Sequence, residues 1–133
     1  MNSAAADIKD FLLDKSDESG SDLELILGTN LFVGILPENQ VICTAVLDTP
    51  GAPPEPNNIR LPTVQILTRG TVGGYVAAWN KIEDIVNELH EVANTTINST
   101  NYIQIYKFSE ISHVGNDSKN RPMFSCTLAI KRA

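Results

Sequence analysis

Between Thr71 and Asn94 the apolar residues Tyr75, Ala78, Trp79, Ile82, Ile85, Val86, Leu89 and Val92 recur three and four positions apart. Asn80, Lys81, Glu83, Asp84, Asn87, Glu88 and Glu91 fill the positions between them. An α-helix gathers that spacing into one apolar stripe, so the pattern predicts a long amphipathic helix with one buried side. Trp79 is expected on that side, where truncation to alanine would cost about 3 to 5 kcal/mol as a core cavity. A shorter stripe of Ile8, Phe11, Leu12 and Lys15 predicts a first helix. Ser3 is placed to cap it, and Asp7 lies near the positive end of its dipole.

Elsewhere the pattern changes to that of strands. "NLFVGILP" and "VICTAVLD" are β-branched runs separated by "ENQ", which predicts an antiparallel hairpin whose first strand ends at Pro37. "LPTVQILTRG" predicts a third strand. After the long helix, "TTINSTNYIQIYKFSEISHV" predicts a short strand, a turn at Asn98 to Asn101 and one long strand. In "PMFSCTLAIKRA" the residues Phe124, Cys126, Leu128 and Ile130 alternate with Ser125, Thr127, Ala129 and Lys131, as a half-buried strand requires. "GNDSKNR" between these last two strands has the residues of a hairpin tip. The order α-β-β-β-α-β-β-β predicts an α+β fold, a mainly antiparallel sheet packed on one face by an N-terminal helix and one long amphipathic helix.

A chain of 133 residues with 42% hydrophobic content is expected to form a single domain, residues 1–133. Residues 1–27 would be the helix and an acidic linker, and residues 28–132 the core. The linker "SDESGSD" is polar and contains glycine, the composition of a segment that is mobile until something docks on it. "VLDTPGAPPEPNNIRLPTVQILTRG" holds five of the seven prolines, which predicts a long, stiff, polar connection. Such loops are uncommon in compact domains and tend to be functional or disordered, so this one points at contacts rather than at the core.

Charge narrows the function. The net charge is −6 and the pI about 4.7, against a surface built to grip phosphate backbones. Cys43 and Cys126 sit inside apolar runs without CxxC spacing, as buried small hydrophobes do, and could meet across a sheet. The N-terminal "MNSAAADIKDFLLDK" lacks the basic and apolar regions of a secretory signal, and no run approaches the roughly 18 apolar residues of a membrane span. Synthesis in a cytoplasm follows, and the glycosylation-like triplets at Asn94, Asn98 and Asn116 read as turns.

Candidate chemistry is sparse. His90 and His113 are far apart and without companions that would define a metal site. Glu83, Asp84, Glu88 and Glu91 form an acidic helix face, ordinarily solvated and otherwise a contact for a basic partner. "RGTVGGY", Arg69 to Tyr75, follows a strand and opens a helix, where backbone N–H groups can bind an anion. It lacks the Lys-Ser/Thr ending of a P-loop, and Gly70, Gly73 and Gly74 are what a tight strand-to-helix turn needs. No serine or threonine occupies a nucleophile-elbow pattern. No catalytic residue, cofactor or metal is therefore expected.

The order of "GTNLFVGILP", a Thr-Pro-Gly turn with prolines, "PTVQILTRG", "GGY" opening the helix, and "NRPMFSCTLAIKR" resembles the tailed-bacteriophage minor capsid proteins and the similar tail terminator (tail completion) proteins. The resemblance runs from about Gly28 to Arg132 and rests on Gly28, Asn30, Gly34, Pro37, Pro62, Arg69, Gly74, Arg121 and Pro122. It leaves the role of the acidic N-terminal segment open. It implies a structural virion protein, not an enzyme, that forms a homohexameric ring on the tail tube, ends tube polymerisation and joins tail to head. The implied partners are further copies of itself, the tail tube protein and head-tail connector or stopper proteins. Genomic DNA would pass through the lumen without sequence-specific binding, and no membrane is involved. The implied location is the head-tail interface of the virion, reached from the host cytoplasm. A neck or head-completion protein on the portal side is the alternative, and a small anion-binding or hydrolytic domain using Arg69 to Tyr75 is another.

A closed ring of identical subunits joins one patch to a different patch on the neighbour. The proline segment, with Pro50, Pro53, Pro54, Pro56 and Arg60, is one candidate patch, since a preordered loop loses less entropy on docking. The hairpin tip with Lys119 and Arg121 is another. Against these stand a disordered insert and a pair of turn solubilisers.

Overall fold

The computed structural model describes residues 1–38 and 41–133. Among them the elements run α1 (Ala4–Ser16), β1 (Leu31–Val33), β2 (Cys43–Glu55), β3 (Ile59–Arg69), α2 (Tyr75–Leu89), β4 (Val92–Ile97), β5 (Thr100–Lys107), β6 (Ser112–Asn116) and β7 (Pro122–Arg132). The fold is α+β. The strands form a sheet in the order β1-β2-β3-β7-β5-β4, and β6 pairs with the N-terminal half of β7, beside the stretch that β5 occupies.

Register explains how one face becomes core. Val46, Ile66 and Cys126 are successive partners across β2, β3 and β7, and so are Thr44, Thr68 and Phe124. Partners on adjacent strands project to the same side. Both helices pack on that side. Ile8, Leu12, Ile82, Ile85, Val86 and Leu89 join Val64, Ile66, Phe124, Cys126 and Leu128 in a single buried cluster. The clean alternation of "PMFSCTLAIKRA" is therefore the alternation between this core and the opposite face.

Several expectations are corrected. The first two strands are not an antiparallel hairpin: β1 lies parallel to β2, Leu31 opposite Thr44 and Val33 opposite Val46. Gly34 leaves β1 at φ +80°, and its N–H donates to the Val46 carbonyl, so the chain must travel the sheet's length to return in the same direction. Within the intervening "ENQ", Asn39 and Gln40 lie outside the described residues. The proline segment is not a loop. β2 and β3 continue as paired strands to Glu55 and Ile59, with register shifts between Thr49 and Ala52 and between Ala52 and Glu55. Asn57 and Asn58 turn the chain with φ of +68° and +60°, the left-handed pair that a tight hairpin uses. The prolines are tolerated because this part of β2 is a sheet edge, where a missing N–H disrupts no ladder. The long strand expected after Asn101 is broken at residues 108–111 into β5 and β6, giving seven described strands rather than six. The preceding turn falls on Asn98 and Ser99, both at positive φ, with β5 already begun at Thr100.

The main helix buries Ala78, Ile82, Ile85, Val86 and Leu89, but Tyr75 is half exposed and Trp79 only partly covered. The stripe thus runs off the edge of the core at its N-terminal end. The segment before Gly28 is part of the packing. Ala4, Ala5, Ile8 and Leu12 of α1 are buried, and Leu23 and Leu25 follow them into the cluster. The "SDESGSD" segment is held by its flanks, the Ser16 hydroxyl accepting from the Leu25 N–H at 2.8 Å and the Lys81 ammonium donating to the Leu23 carbonyl.

Candidate functional site

The candidate interface residues fall at two separate places. Pro50, Pro53, Pro54 and Pro56 lie on the distal half of β2 and in the turn after it, all exposed, and Arg60 is exposed on β3 opposite Arg132. Lys119 and Arg121 lie at the other end of β7, in the turn from β6. β7 spans residues 122 to 132, so roughly 30 Å of extended chain separates the two patches. The structure does not bring them together.

The two cations of the tip behave differently. Arg121 is 6% exposed. Its Nε donates to Asp117 Oδ2 at 2.8 Å and its Nη2 to Glu38 Oε1 at 3.0 Å. The Arg121 hydrogen bonds hold the Asp117 carboxyl down at about 2. Lys119 stays at the surface with its ammonium 2.7 Å from Glu38 Oε1, and that contact, followed by Arg121, lowers the Glu38 carboxyl. The tip is thereby stapled to the segment after β1. Arg121 holds the tip from inside, and Lys119 is the one of the pair that faces outward.

The start of the Arg69 to Tyr75 turn is filled by packing. Arg69 is buried and donates to the Pro37 carbonyl at 2.8 Å and to Cys43 Sγ at 3.2 Å. A Cβ on Gly70 would come within 2.8 Å of the Ala78 methyl and 3.0 Å of the Gly74 carbonyl oxygen, so glycine is required by close approach of helix and strand. The histidines also have structural partners. His90 Nδ1 accepts the Lys107 N–H at 3.0 Å, and the His113 ring lies 5.3 Å from that of Phe124. Among the described residues no group of His, Cys, Asp and Glu is arranged to hold a metal ion. No described helix is long and apolar enough to cross a membrane.

Cys43 and Cys126 are both buried thiols, yet they cannot meet. Cys43 is in register with Arg69 and Met123, Cys126 with Ile66, and these two sets point to opposite faces of the sheet. Burial raises both thiols, Cys126 to about 11.

Three features escaped the sequence pattern. A buried polar cluster joins α1 to β5 and β7: Tyr102 donates to Asp7 Oδ2 at 2.5 Å, Arg132 Nη1 donates to the Tyr102 oxygen at 3.0 Å, and Asn98 donates to Asp7 Oδ1 at 2.9 Å. An apolar ridge sits where α2 begins, with Val72, Tyr75 and Val76 exposed beside Trp79. A groove of about 500 Å³ opens on the sheet face away from the helices, lined by Pro50, Ala52, Leu61, Tyr106, Phe108 and Ala129 among others, none of them charged. Asp7 looked like a helix-dipole residue, and only its place on the apolar side of α1, one turn from Phe11, signalled burial.

Large apolar side chains stay at the surface of this chain, Val72, Val76 and Phe108 among them. The chain is a structural virion component, and it belongs to the bacteriophage tail terminator protein family, whose model matches residues 9–133. The match begins within α1, ahead of the Gly28 start of the resemblance. Among solved structures, a chain in the virion of a native gene transfer agent (GTA) particle is similar, with a TM-score of 0.65 and 11% identity over 98% of either chain. That likeness is one of fold. Comparison with curated proteins finds no match.

Proposed function

We propose that this protein is a tail terminator that acts as a homohexameric ring, capping the tail tube, ending its polymerisation and presenting the surface to which the head is joined. The observation that carries the reading is the family match, which extends over residues 9–133 and so takes in the later part of α1, all of α2 and every described strand of the sheet. The surface supports it. Uncharged apolar patches lie on the two opposite sides of the sheet, the arrangement a head-to-tail ring contact uses.

The partners proposed are further copies of this chain, the tail tube protein below and connector or stopper proteins above. Pro50, Pro53, Pro54, Pro56, Arg60, Lys119 and Arg121 remain proposed contact positions, with Lys119 the outward member of its pair. The acidic balance suits a ring that a genome must traverse, because a negative wall repels DNA rather than holding it. No cofactor or catalytic step enters this function.

The test is imaging of the head-tail joint in intact virions, with tail length measured in virions lacking the protein. A sixfold ring seated on the tube, and tails of uncontrolled length without it, are expected. A twelvefold ring against the portal would reassign the protein to the neck, and absence from the particle would overturn both readings.

A further inference from the structure

We propose that the apolar ridge at the start of α2 seats in the sheet-face groove of a second copy of this chain, and that this ridge-in-groove contact is the joint repeated round the ring. The inference rests on the ring reading above and names the surfaces that would close it.

Charge selects the occupant. Two copies that each carry −6 repel unless they meet where charge is absent or balanced. Residues 1–27 hold seven acids and two lysines, and residues 75–91 hold four acids and one lysine, so the negative charge gathers on α1, the segment after it and the later turns of α2. Asp22, Asp84 and Glu88 line a polar cleft there. By contrast, residues 70–80, which make the ridge, contain no ionisable group other than Tyr75. The groove has no charged lining residue, and two ion pairs stand near it: Lys107 with Glu110 at 2.9 Å and Lys131 with Glu55 at 3.5 Å. These are two uncharged surfaces on a molecule of net negative charge, where two like-charged copies can press together.

Topology makes the contact head-to-tail. The ridge leans on Phe124, with the Tyr75 and Trp79 rings edge-on to it at 4.9 and 5.7 Å. Phe124 points to the helix side of the sheet, whereas Thr127 and Ala129 in the groove lie an odd number of residues along β7 and point to the other side. A ridge therefore cannot reach its own groove. A second copy can supply one, and its own ridge is then free for a third. The side chains at the start of α2 stand open to a partner, with Val72 66% and Val76 69% exposed, and Phe108 at the groove rim is 70% exposed. Backbone pairing is not the mode of contact here, since the free edge of β2 beside the groove carries Pro50, Pro53 and Pro54, which have no N–H to offer.

The test uses Val76→Asp to spoil the ridge and Phe108→Asp to spoil the groove. Both positions are exposed, and unchanged circular dichroism and thermal midpoint show that each variant is folded. Sedimentation velocity and native mass spectrometry are run on the purified proteins, alone and on isolated tail tubes. Each variant is expected to lose ring assembly, with at least a tenfold weaker self-association than the unaltered chain. An equal mixture of the two is expected to form a 1:1 heterodimer and stop, because one intact ridge and one intact groove remain between them. Rings from either variant alone, or no heterodimer in the mixture, would overturn the proposal while leaving the ring reading intact. Rings that form normally but no longer bind tubes would also overturn it and assign the patch to the tube protein. An unaltered chain that forms no ring in solution or on tubes would instead remove the ring reading itself.

Discussion

Asp7 and Arg132, separated by almost the whole chain, lie 3.5 Å apart, with Asp7 fully buried and Arg132 nearly so. The Tyr102 hydroxyl bridges them, donating to one and accepting from the other. A buried charge that loses its partner costs far more than the pair contributes. Asp7→Asn is therefore expected to destabilise the fold by about 3 to 5 kcal/mol. Tyr102→Phe, which removes only the bridge, is expected to cost about 1 to 3 kcal/mol. Urea unfolding of the two variants and of the double variant checks this, and the double should fall short of the sum because the residues share one network.

The same cluster makes the Tyr102 phenol hard to ionise. Burial, then the hydrogen bond to Asp7, raises it well above the ordinary tyrosine value of 10.0. A raised folded-state value adds stability below the unfolded value, lost as pH rises through the folded one. Absorbance titration of the phenolates should therefore leave Tyr102 protonated until alkaline unfolding, and Tyr102→Phe should remove that late step.

At the other end of β7 the sign reverses. Asp117 is held at about 2, below its ordinary 3.8, by Arg121. A depressed carboxyl contributes above the unfolded value, and the contribution fades as pH falls from near 4 toward 2. The tip should loosen over that window before the core responds. The amide and Nε–H resonances of Arg121, followed by NMR during acidification, report it directly, and Asp117→Asn should show the loosened state at neutral pH.

Phe124 keeps the buried place that its strand pattern assigns, whereas Trp79 does not keep the one its helix pattern assigns. Phe124 is fully buried, and Phe124→Ala should cost about 3 to 5 kcal/mol. Trp79 is only partly covered, so Trp79→Ala should cost no more than about 2 kcal/mol, the worth of its partial burial and one edge-on ring contact. Thermal or urea unfolding of the two variants side by side decides the order.

Gly51 sets the shape of the proline hairpin. A Cβ there would fall 2.2 Å from the Leu61 carbonyl oxygen, with backbone rather than a flexible side chain in the way. Gly51→Ala should force β2 and β3 apart at the bulge and cost about 1 to 3 kcal/mol as an overpacking change. Loss of amide-exchange protection at Leu61 and Ala52, with the core unaffected, would mark the effect as local.

Much of this fold is legible in the sequence, because the helix and strand periods of α2 and β7 were set by a single buried face. The parallel step from β1 to β2 was not. Nothing in two β-branched runs encodes their relative direction, and the short sequence gap favoured a hairpin. Proline content also misled at β2, since it signals the loss of a donor but not whether that donor faces a neighbour or an edge. Of the proposed contact positions, the prolines stand out in sequence because composition marks them. Arg121 was visible only as a charge, and its burial depends on Glu38, more than 80 residues earlier. The ridge and groove were invisible because an apolar residue at a surface looks, in sequence, like an apolar residue in a core.

The placement of β7 also bears on timing. It is the last of these elements to leave the ribosome, yet it lies in the middle of the sheet and pairs with β3, β5 and β6. A nascent chain that ends before Pro122 has no strand on which to unite the β2–β3 hairpin with the β4–β5 hairpin, and Asp7 has no Arg132 to meet. Folding of this sheet is thus held back until translation has passed its final strand, so incomplete chains have no finished surface with which to enter a particle.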